Sequence, residues 1–71
     1  MGSATVFIWV KNGEIYRGYT YGYIKEKKIE ELLRKSGVNY RKFTVYGYDI
    51  SFSYDDIKPI NLKELEKILR I

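Results

Sequence analysis

The dipeptide Asn12-Gly13 constrains the fold of this chain more than any other feature, because it lies between two segments of alternating side chains. A two-residue type I′ turn needs positive φ at both central positions, and Asn and Gly tolerate that conformation best. A turn of this length also sets the register of the strands. The facing pairs are then Val10 with Ile15, Trp9 with Tyr16, Ile8 with Arg17, Phe7 with Gly18, and Val6 with Tyr19. Residues 4–23 are therefore predicted to form a β-hairpin.

This register gives the hairpin an aliphatic face and an aromatic face. The aliphatic face carries Val6, Ile8, Val10, Ile15, Tyr19 and Tyr21. The aromatic face carries Phe7, Trp9 and Tyr16 with Thr5, Glu14, Gly18 and Thr20. Since one face of such a hairpin is usually buried and the other solvated, we expect the aliphatic face to form the core. Arg17 falls on that face, and we expect it to lie near a sheet margin with its guanidinium in water.

Two amphipathic helices are predicted. The first runs from about residue 25 to 36, with Gly37 as its C-terminal stop. Its apolar side consists of Ile29, Leu32 and Leu33. The second follows Asn61, which suits an N-cap, and Glu64 completes a capping box. Its apolar stripe consists of Leu62, Leu65, Ile68 and Leu69, with Ile60 placed to contact Leu65 from outside the helix.

A second hairpin is predicted over residues 41–54, with Gly47-Tyr48 at a type II′ turn. Its facing pairs are Val45 with Ile50 and Phe43 with Phe52. Shifts of 35 and 36 residues relate the two halves, so residues 1–71 form one domain of two pseudo-repeats, 4–37 and 40–71. Residues 1–3 are expected to be a frayed end or an expression scar. The predicted fold class is α+β: a tandem ββα-ββα chain whose four-stranded, mainly antiparallel sheet has two helices packed on one face.

The composition excludes several common kinds of catalytic and metal-binding site. The 71 residues include no Cys and no His, so a thiol nucleophile, a thiolate metal site and the commonest general base are absent. The carboxylates nearest to predicted turns are Asp49, Asp55 and Asp56, and aspartates in turns usually accept local backbone amides. We therefore expect no enzymatic activity, no catalytic residue, no metal site and no bound cofactor.

The same counts bear on origin and location. No apolar run approaches the roughly 20 residues of a membrane span, and no basic region followed by an apolar stretch marks a signal peptide. We expect no membrane association and a cytoplasmic location, or a recombinant origin without a native compartment. Gln is absent together with Cys and His, which is typical of a thermostable chain, either hyperthermophilic or deliberately designed.

The net charge of +4 comes from one stretch. No acid lies between Glu31 and Asp49, and the bases there are Arg34, Lys35, Arg41 and Lys42. One interpretation is a solvated helix end, where the first two bases stabilise the C-terminal dipole. The other is that all four bases contact phosphates, with Tyr40 beside them.

The aromatic face is the main candidate contact surface, because the matching positions of the second hairpin carry Thr, Ser and Lys. Three interpretations of Phe7, Trp9 and Tyr16 are open. They stabilise the hairpin through cross-strand pairs. They form a contact for a protein partner or a second copy of the chain. They provide a stacking platform for unpaired bases.

Two resemblances bear on function. The ββα-ββα order, with residues 28–38 (KIEELLRKSGV) leading into the second hairpin, resembles the body of a LAGLIDADG homing endonuclease subunit. The signature helix that supplies metal-binding acids in that family is absent, so the resemblance implies DNA contact through a sheet face and no nuclease activity. The Asn-Gly hairpin, the helix end at residues 35–38 and the boxed last helix resemble idealised, computationally designed α+β miniproteins. That resemblance implies a scaffold without natural activity.

These observations lead to two functional hypotheses. The first is a small stable α+β domain, a designed or structural scaffold without enzymatic activity, with a self-association or protein-contact face at Phe7, Trp9 and Tyr16. The second is a small basic nucleic-acid-binding module of hyperthermophile type, which uses that face together with the four bases between residues 34 and 42.

Overall fold

A computed structural model describes residues 2–47 and 57–70 as a four-stranded mixed sheet with two helices packed against one of its faces. The elements are β1 (Gly2–Lys11), β2 (Glu14–Thr20), α1 (Tyr23–Ser36), β3 (Asn39–Gly47), β4 (Lys58–Pro59) and α2 (Leu62–Leu69). The strand order is β3-β1-β2-β4, with β1 antiparallel to both neighbours and β4 parallel to β2. The predicted α+β class and the order of elements are confirmed.

The first hairpin has the predicted turn and register. Asn12 has a φ of 52° and Gly13 a φ of 79°, as the two central residues of a type I′ turn require. Every facing pair predicted from the sequence, from Val10 with Ile15 to Val6 with Tyr19, is present between β1 and β2. Local turn chemistry is therefore sufficient to align these strands.

The start of the chain differs from expectation. Gly2 and Ser3 belong to β1, where they face Gly47 and Tyr46 of β3. The expectation of a frayed end is wrong for these two residues, because pairing along the whole of β3 satisfies their backbone. Met1 lies outside the described residues.

Only part of the second predicted hairpin can be compared with the structure. Its first strand is present as β3, although it begins earlier, at Asn39. The partners Ile50 and Phe52, the residue Tyr48 of the predicted turn, and the aspartates at 49, 55 and 56 lie outside the described residues. The described fourth strand is instead Lys58–Pro59, which pairs in parallel with Gly18 and Tyr19 of β2.

The C-terminal end of α1 and the N-terminal start of α2 agree with the sequence predictions. Gly37 has a φ of 72° and donates its N–H to the Arg34 carbonyl at 3.1 Å, so it terminates α1. α1 begins at Tyr23, two residues earlier than predicted, after Gly22 at a φ of 89°. At α2, Asn61 Oδ1 accepts hydrogen bonds from the backbone N–H groups of Lys63 (2.9 Å) and Glu64 (3.2 Å), which confirms the N-cap.

The buried side of the sheet is the aromatic face, so the prediction of an aliphatic core face is wrong. Phe7 is 0% exposed and Trp9 3%, and both lie beneath the two helices. The core cluster consists of Phe7, Trp9, Ile29, Leu33, Ile60, Leu65 and Leu69. The predicted apolar sides of both helices are therefore confirmed, whereas the face of the sheet that they cover is the opposite one.

Charge explains this inversion. Arg17 and Arg41 both face Ile8, one from each neighbouring strand, so they lie on the aliphatic face. Burying two guanidinium groups under helices would cost far more than leaving some aliphatic surface in water. The rings of Phe7 and Trp9 also bury more apolar area than the aliphatic side chains.

Gly18 makes the close packing of α2 on the aromatic face feasible. It is buried in β2 and pairs regularly with Phe7. A Cβ at this position would collide with Cγ1 of Ile60 and lie 3.2 Å from the Lys58 carbonyl oxygen. The missing side chain thus lets Ile60 and the chain leading into α2 approach the sheet.

Candidate functional site

The face of the sheet opposite the helices, here called the outer face, is the largest candidate site. It combines the aliphatic face of the hairpin with every second residue of β3. From β1 and β2 it carries Ala4, Val6, Ile8, Val10, Ile15, Arg17 and Tyr19, and from β3 it carries Asn39, Arg41, Phe43 and Val45. Neither α1 nor α2 covers this surface of three adjacent strands, although its residues Ala4 and Val6 are buried.

Large apolar side chains on this surface contact water. Phe43 is 50% exposed, Ile15 62% and Val10 43%. Val6 lies between Tyr19 and Phe43 in register and is buried, so rings on both neighbouring strands flank the centre of the sheet. Exposed apolar surface of this kind commonly marks a contact site.

Aromatic rings continue from the outer face past the end of β2. The rings of Tyr19 and Tyr21 pack edge to face, with centroids 5.4 Å apart. Tyr21 itself is about half exposed. Together with Phe43, these rings give the lower part of the outer face an aromatic character that its aliphatic upper part, at Val10 and Ile15, lacks.

Two arginines lie on the outer face. Arg17 and Arg41 are exposed and flank Ile8 from its two neighbouring strands, so two strand spacings of about 4.8 Å each separate them. Arg41 forms no ion pair with any residue between 2 and 47 or between 57 and 70. Within the described part of the chain, the register places no carboxylate on this face. The exposed guanidinium of Arg41 is therefore a candidate contact for an anionic group.

The contact residues predicted from the sequence lie elsewhere. Phe7 and Trp9 are buried beneath the helices and Tyr16 is half-buried, so the prediction that these three form an exposed contact face is wrong. The rings of Trp9 and Tyr16 stack across the two strands, with centroids 5.7 Å apart and planes 14° apart. Of the three interpretations, cross-strand stabilisation agrees with this geometry.

The four bases predicted to contact phosphates do not form one patch. Arg41 and Lys42 are neighbours in β3 and therefore point to opposite faces of the sheet. Arg34 and Lys35 lie in the last turn of α1, where both are exposed. Of the four bases, Arg41 alone lies on the outer face, and phosphate contact by any of them stays a prediction.

Lys42 lies on the helix side of the sheet, where it forms ion pairs with α1. Its Nζ lies 2.9 Å from Oε1 of Glu30 and 3.1 Å from Oε2 of Glu26, so it bridges two carboxylates one turn apart on α1. Glu26 also accepts a hydrogen bond from Oγ1 of the buried Thr5 at 2.9 Å. These contacts hold the edge strand β3 against α1, and they pair the charge of Lys42 within the fold.

Arg34 belongs to the same network. Its Nε donates to the Tyr40 hydroxyl at 3.3 Å, and that hydroxyl donates to Oε2 of Glu30 at 2.8 Å. Its Nη2 also lies 3.6 Å from Oε2 of Glu30. Hydrogen bonds from Lys42 and then from Tyr40 lower the pKa of Glu30, and the bond to Glu30 raises the pKa of Lys42. Contact with Tyr40 and Glu30 raises the pKa of Arg34.

A small cleft lies between the outer edge of β2 and α2. Its volume is about 170 Å³. The apolar part of its lining comprises Trp9, Tyr16, Ile60, Leu65 and Ile68, and the polar part comprises Arg17, Lys58, Asn61 and Glu64. The indole nitrogen of Trp9 is buried and has no hydrogen-bond partner among the described residues. This cleft could not be predicted from the sequence, because its lining joins the first hairpin to β4 and α2 at the other end of the chain.

The outer face could have been recognised from one signal in the sequence. Arg17 falls on the aliphatic face of the hairpin in the register that the turn predicts, and an arginine there indicates a solvated surface. Tyr19 and Phe43 are candidate contact residues that the sequence did not indicate, and Tyr19 was expected in the core. Among the residues the structure describes, no three carboxylates come together as a metal site would require. Neither described helix has the length and apolar character needed to cross a membrane.

No protein-family model matches this chain, and comparison with curated proteins and with solved structures finds no similar protein. Function is therefore inferred from the residues of this chain alone.

Proposed function

We propose that this chain is a non-enzymatic domain that binds single-stranded nucleic acid through its outer face. The observation that carries the proposal is the combination of exposed aromatic rings and exposed arginines on a sheet face where the described residues place no carboxylate. A phosphate backbone complements the charge of such a surface, and unpaired bases complement its rings.

Phe43 is the residue best placed to stack on a base. Half of its surface is exposed, and it lies two residues after Arg41 in β3, on the same face of the sheet. A base stacked on one aromatic ring contributes about 1–3 kcal/mol to binding, whichever base it is. A duplex hides its base faces in the stack, so exposed rings favour a single strand.

A second copy of the chain is a less suitable occupant of the lower outer face. In a two-fold symmetric dimer the same patch meets itself, so Arg17 and Arg41 of one copy would lie against those of the other. Like charges brought together at an interface oppose binding. An anionic strand has no such conflict.

The aliphatic upper end of the outer face supports a second candidate function. Val10 and Ile15 face each other there and are both exposed, without a charged neighbour in their row. This small apolar patch favours a scaffold that associates with itself or with a protein partner. The expectation of a designed or purely structural α+β domain stays a prediction.

The proposed function is tested by fluorescence anisotropy with a labelled oligothymidylate and with a duplex of equal length, each at two salt concentrations. We expect the single strand to bind more tightly and its affinity to fall steeply with salt. Phe43→Ala should weaken binding about fivefold to a hundredfold, as the loss of one stack predicts. Arg41→Gln should weaken binding and reduce the salt slope by about one.

Lys63→Gln is the matched control, because it removes one exposed positive charge from α2, on the other side of the sheet. It should change affinity less than Arg41→Gln does. Equal losses in the two variants, or no binding of single strands by the native protein, would contradict the proposal. Sedimentation that shows a dimer dispersed by Ile15→Lys, without nucleic-acid binding, would favour the second candidate.

A further inference from the structure

An open depression, here called the junction depression, lies at the end of the sheet where β2 leads into α1. Its volume is about 570 Å³, within the range of about 300–1,000 Å³ that is usual for sites that bind small molecules. It is lined by Tyr21, Gly22, Tyr23, Ile24, Lys25, Lys28 and Leu62. None of these seven residues is acidic, so the lining combines apolar surface with positive charge.

The apolar side chains of the junction depression are unusually exposed. Ile24 is 74% exposed, Tyr23 67% and Tyr21 52%, and none of the three belongs to the core cluster. Nζ of Lys27 lies over one face of the Tyr23 ring, 5.3 Å from its centre, which leaves the other face for a ligand. Exposed apolar surface around a depression indicates a contact site, and exposed rings suit a flat aromatic ligand.

Lys25 and Lys28 give the junction depression its charge. Both are exposed, and neither forms an ion pair or a hydrogen bond with any residue between 2 and 47 or between 57 and 70. Glu26, which follows Lys25 in the chain, instead pairs with Lys42 at 3.1 Å. Two ammonium groups beside each other favour a phosphate, which offers several acceptor oxygens. A matching ligand therefore carries both a flat ring and a phosphate.

The junction depression continues the aromatic surface of the outer face. Tyr21 lines the depression, and its ring packs edge to face against Tyr19 of the outer face, with centroids 5.4 Å apart. A strand that stacks on the outer face can therefore extend past Tyr21 into the depression. A lipid surface is the alternative partner for lysines beside apolar side chains, but a flat bilayer does not fill a concave lining.

We propose that the junction depression binds one nucleotide, with its phosphate on Lys25 and Lys28 and its base against Tyr23 and Ile24. The nucleotide has two sources, a free nucleoside monophosphate or one residue of a strand that also occupies the outer face. The strand form rests on the proposed function, whereas the free form does not. Base and phosphate are both required in either form, because the lining has a place for each.

The backbone ¹H–¹⁵N signals of Gly22, Tyr23 and Ile24 report on the junction depression. Titration of the native protein with uridine 5′-monophosphate should shift them saturably, with a Kd on the order of millimolar for so small a ligand. Uridine and inorganic phosphate each lack one half of this ligand, so each should bind about tenfold more weakly or less. Oligothymidylate should shift the same signals at lower concentration.

Two substitutions test the two halves of the junction depression. Lys28→Gln should weaken oligothymidylate binding and reduce its salt slope by about one. Tyr23→Ala should weaken it about fivefold to a hundredfold, as the loss of one stack predicts. Both positions are exposed and lie outside the core cluster, so both variants should fold. Lys67→Gln removes an exposed charge of α2 outside the lining and is the matched control, which should leave binding unchanged.

The outcomes separate the two proposals. Oligothymidylate binding that Phe43→Ala weakens, but that Tyr23→Ala and Lys28→Gln leave unchanged, overturns the nucleotide site and leaves the proposed function standing. Saturable shifts with uridine 5′-monophosphate in a protein that binds no oligonucleotide support the site and contradict the proposed function. Equal affinities for inorganic phosphate and the nucleotide overturn the inference. The absence of any nucleotide-dependent shift also overturns it, including where the protein instead binds vesicles that contain phosphatidylserine.

Discussion

Phe7 and Phe43 are the same residue type on one sheet, and yet Phe7 is 0% exposed whereas Phe43 is 50% exposed. They lie on opposite faces of neighbouring strands, one beneath the helices and one on the outer face. Both faces of the sheet are rich in apolar side chains, so apolar content alone does not decide which one the helices cover. The arginines beside Ile8 decide which face the helices cover, because a covered guanidinium would lose its hydration.

Lys42 and Arg41 show the same contrast for charge. They are consecutive in β3, and alternation sends Lys42 to the helix side and Arg41 to the outer face. Lys42 there meets Glu26 and Glu30, which α1 presents one turn apart, whereas Arg41 meets no carboxylate of the described residues. The acids of α1 therefore pair the charge of Lys42, and no described carboxylate does the same for Arg41.

The largest expected effect compares the two phenylalanines directly. Phe7→Ala should destabilise the protein by about 3–5 kcal/mol, since it removes a fully buried ring and leaves a cavity. Phe43→Ala should cost less than about 1 kcal/mol, because its ring is already half in water. Urea unfolding followed by Trp9 fluorescence measures both. Equal losses in the two variants would show that the outer face is also part of the core.

An intermediate effect tests how closely the helix side is packed. Gly18→Ala should destabilise by about 1–3 kcal/mol, because the added methyl group collides with Ile60. In an Ile60→Ala background the same substitution should cost less, and a double-mutant cycle measures this coupling. Additive losses in the cycle would contradict the close approach of Ile60 to the sheet.

The smallest expected effect concerns the charges of the helix side. The hydrogen bond from Lys42 lowers the pKa of Glu30, so the ionised carboxylate stabilises the fold above its ordinary pKa near 4.5. This contribution is lost as the pH falls through the lowered value. Because the pair is near the surface, the loss should be modest and should shrink in high salt.

Thermal unfolding between pH 6 and pH 2 measures this dependence. Glu30→Gln should show a shallower loss of stability with acid than the native protein. Glu31→Gln, an exposed neighbour in α1, is the matched control and should retain the native slope. An acid dependence that is unchanged in Glu30→Gln would show that other carboxylates dominate.

Local features of the fold were predictable from the sequence for definite reasons. The Asn12-Gly13 turn and Gly37 at the end of α1 depend on positive-φ conformations that few residue types adopt. Asn61 at the start of α2 depends on a side-chain oxygen that accepts backbone hydrogen bonds. The register of β1 and β2 follows from the turn length. The candidate site was placed on the wrong face, since its prediction assumed that aliphatic alternation marks the core.

The Asn12-Gly13 turn, the register of β1 and β2, the end of α1, the N-cap of α2 and the apolar stripes of both helices follow from the sequence, because each depends on residues a few positions apart. Tertiary structure alone decided which face of the sheet is covered. An alternating strand offers two faces, and the choice depends on the total cost over strands distant in the chain, including Arg17 on β2 and Arg41 on β3. The cleft at Trp9 belongs to the same class, because it exists only where β1, β2 and α2 meet.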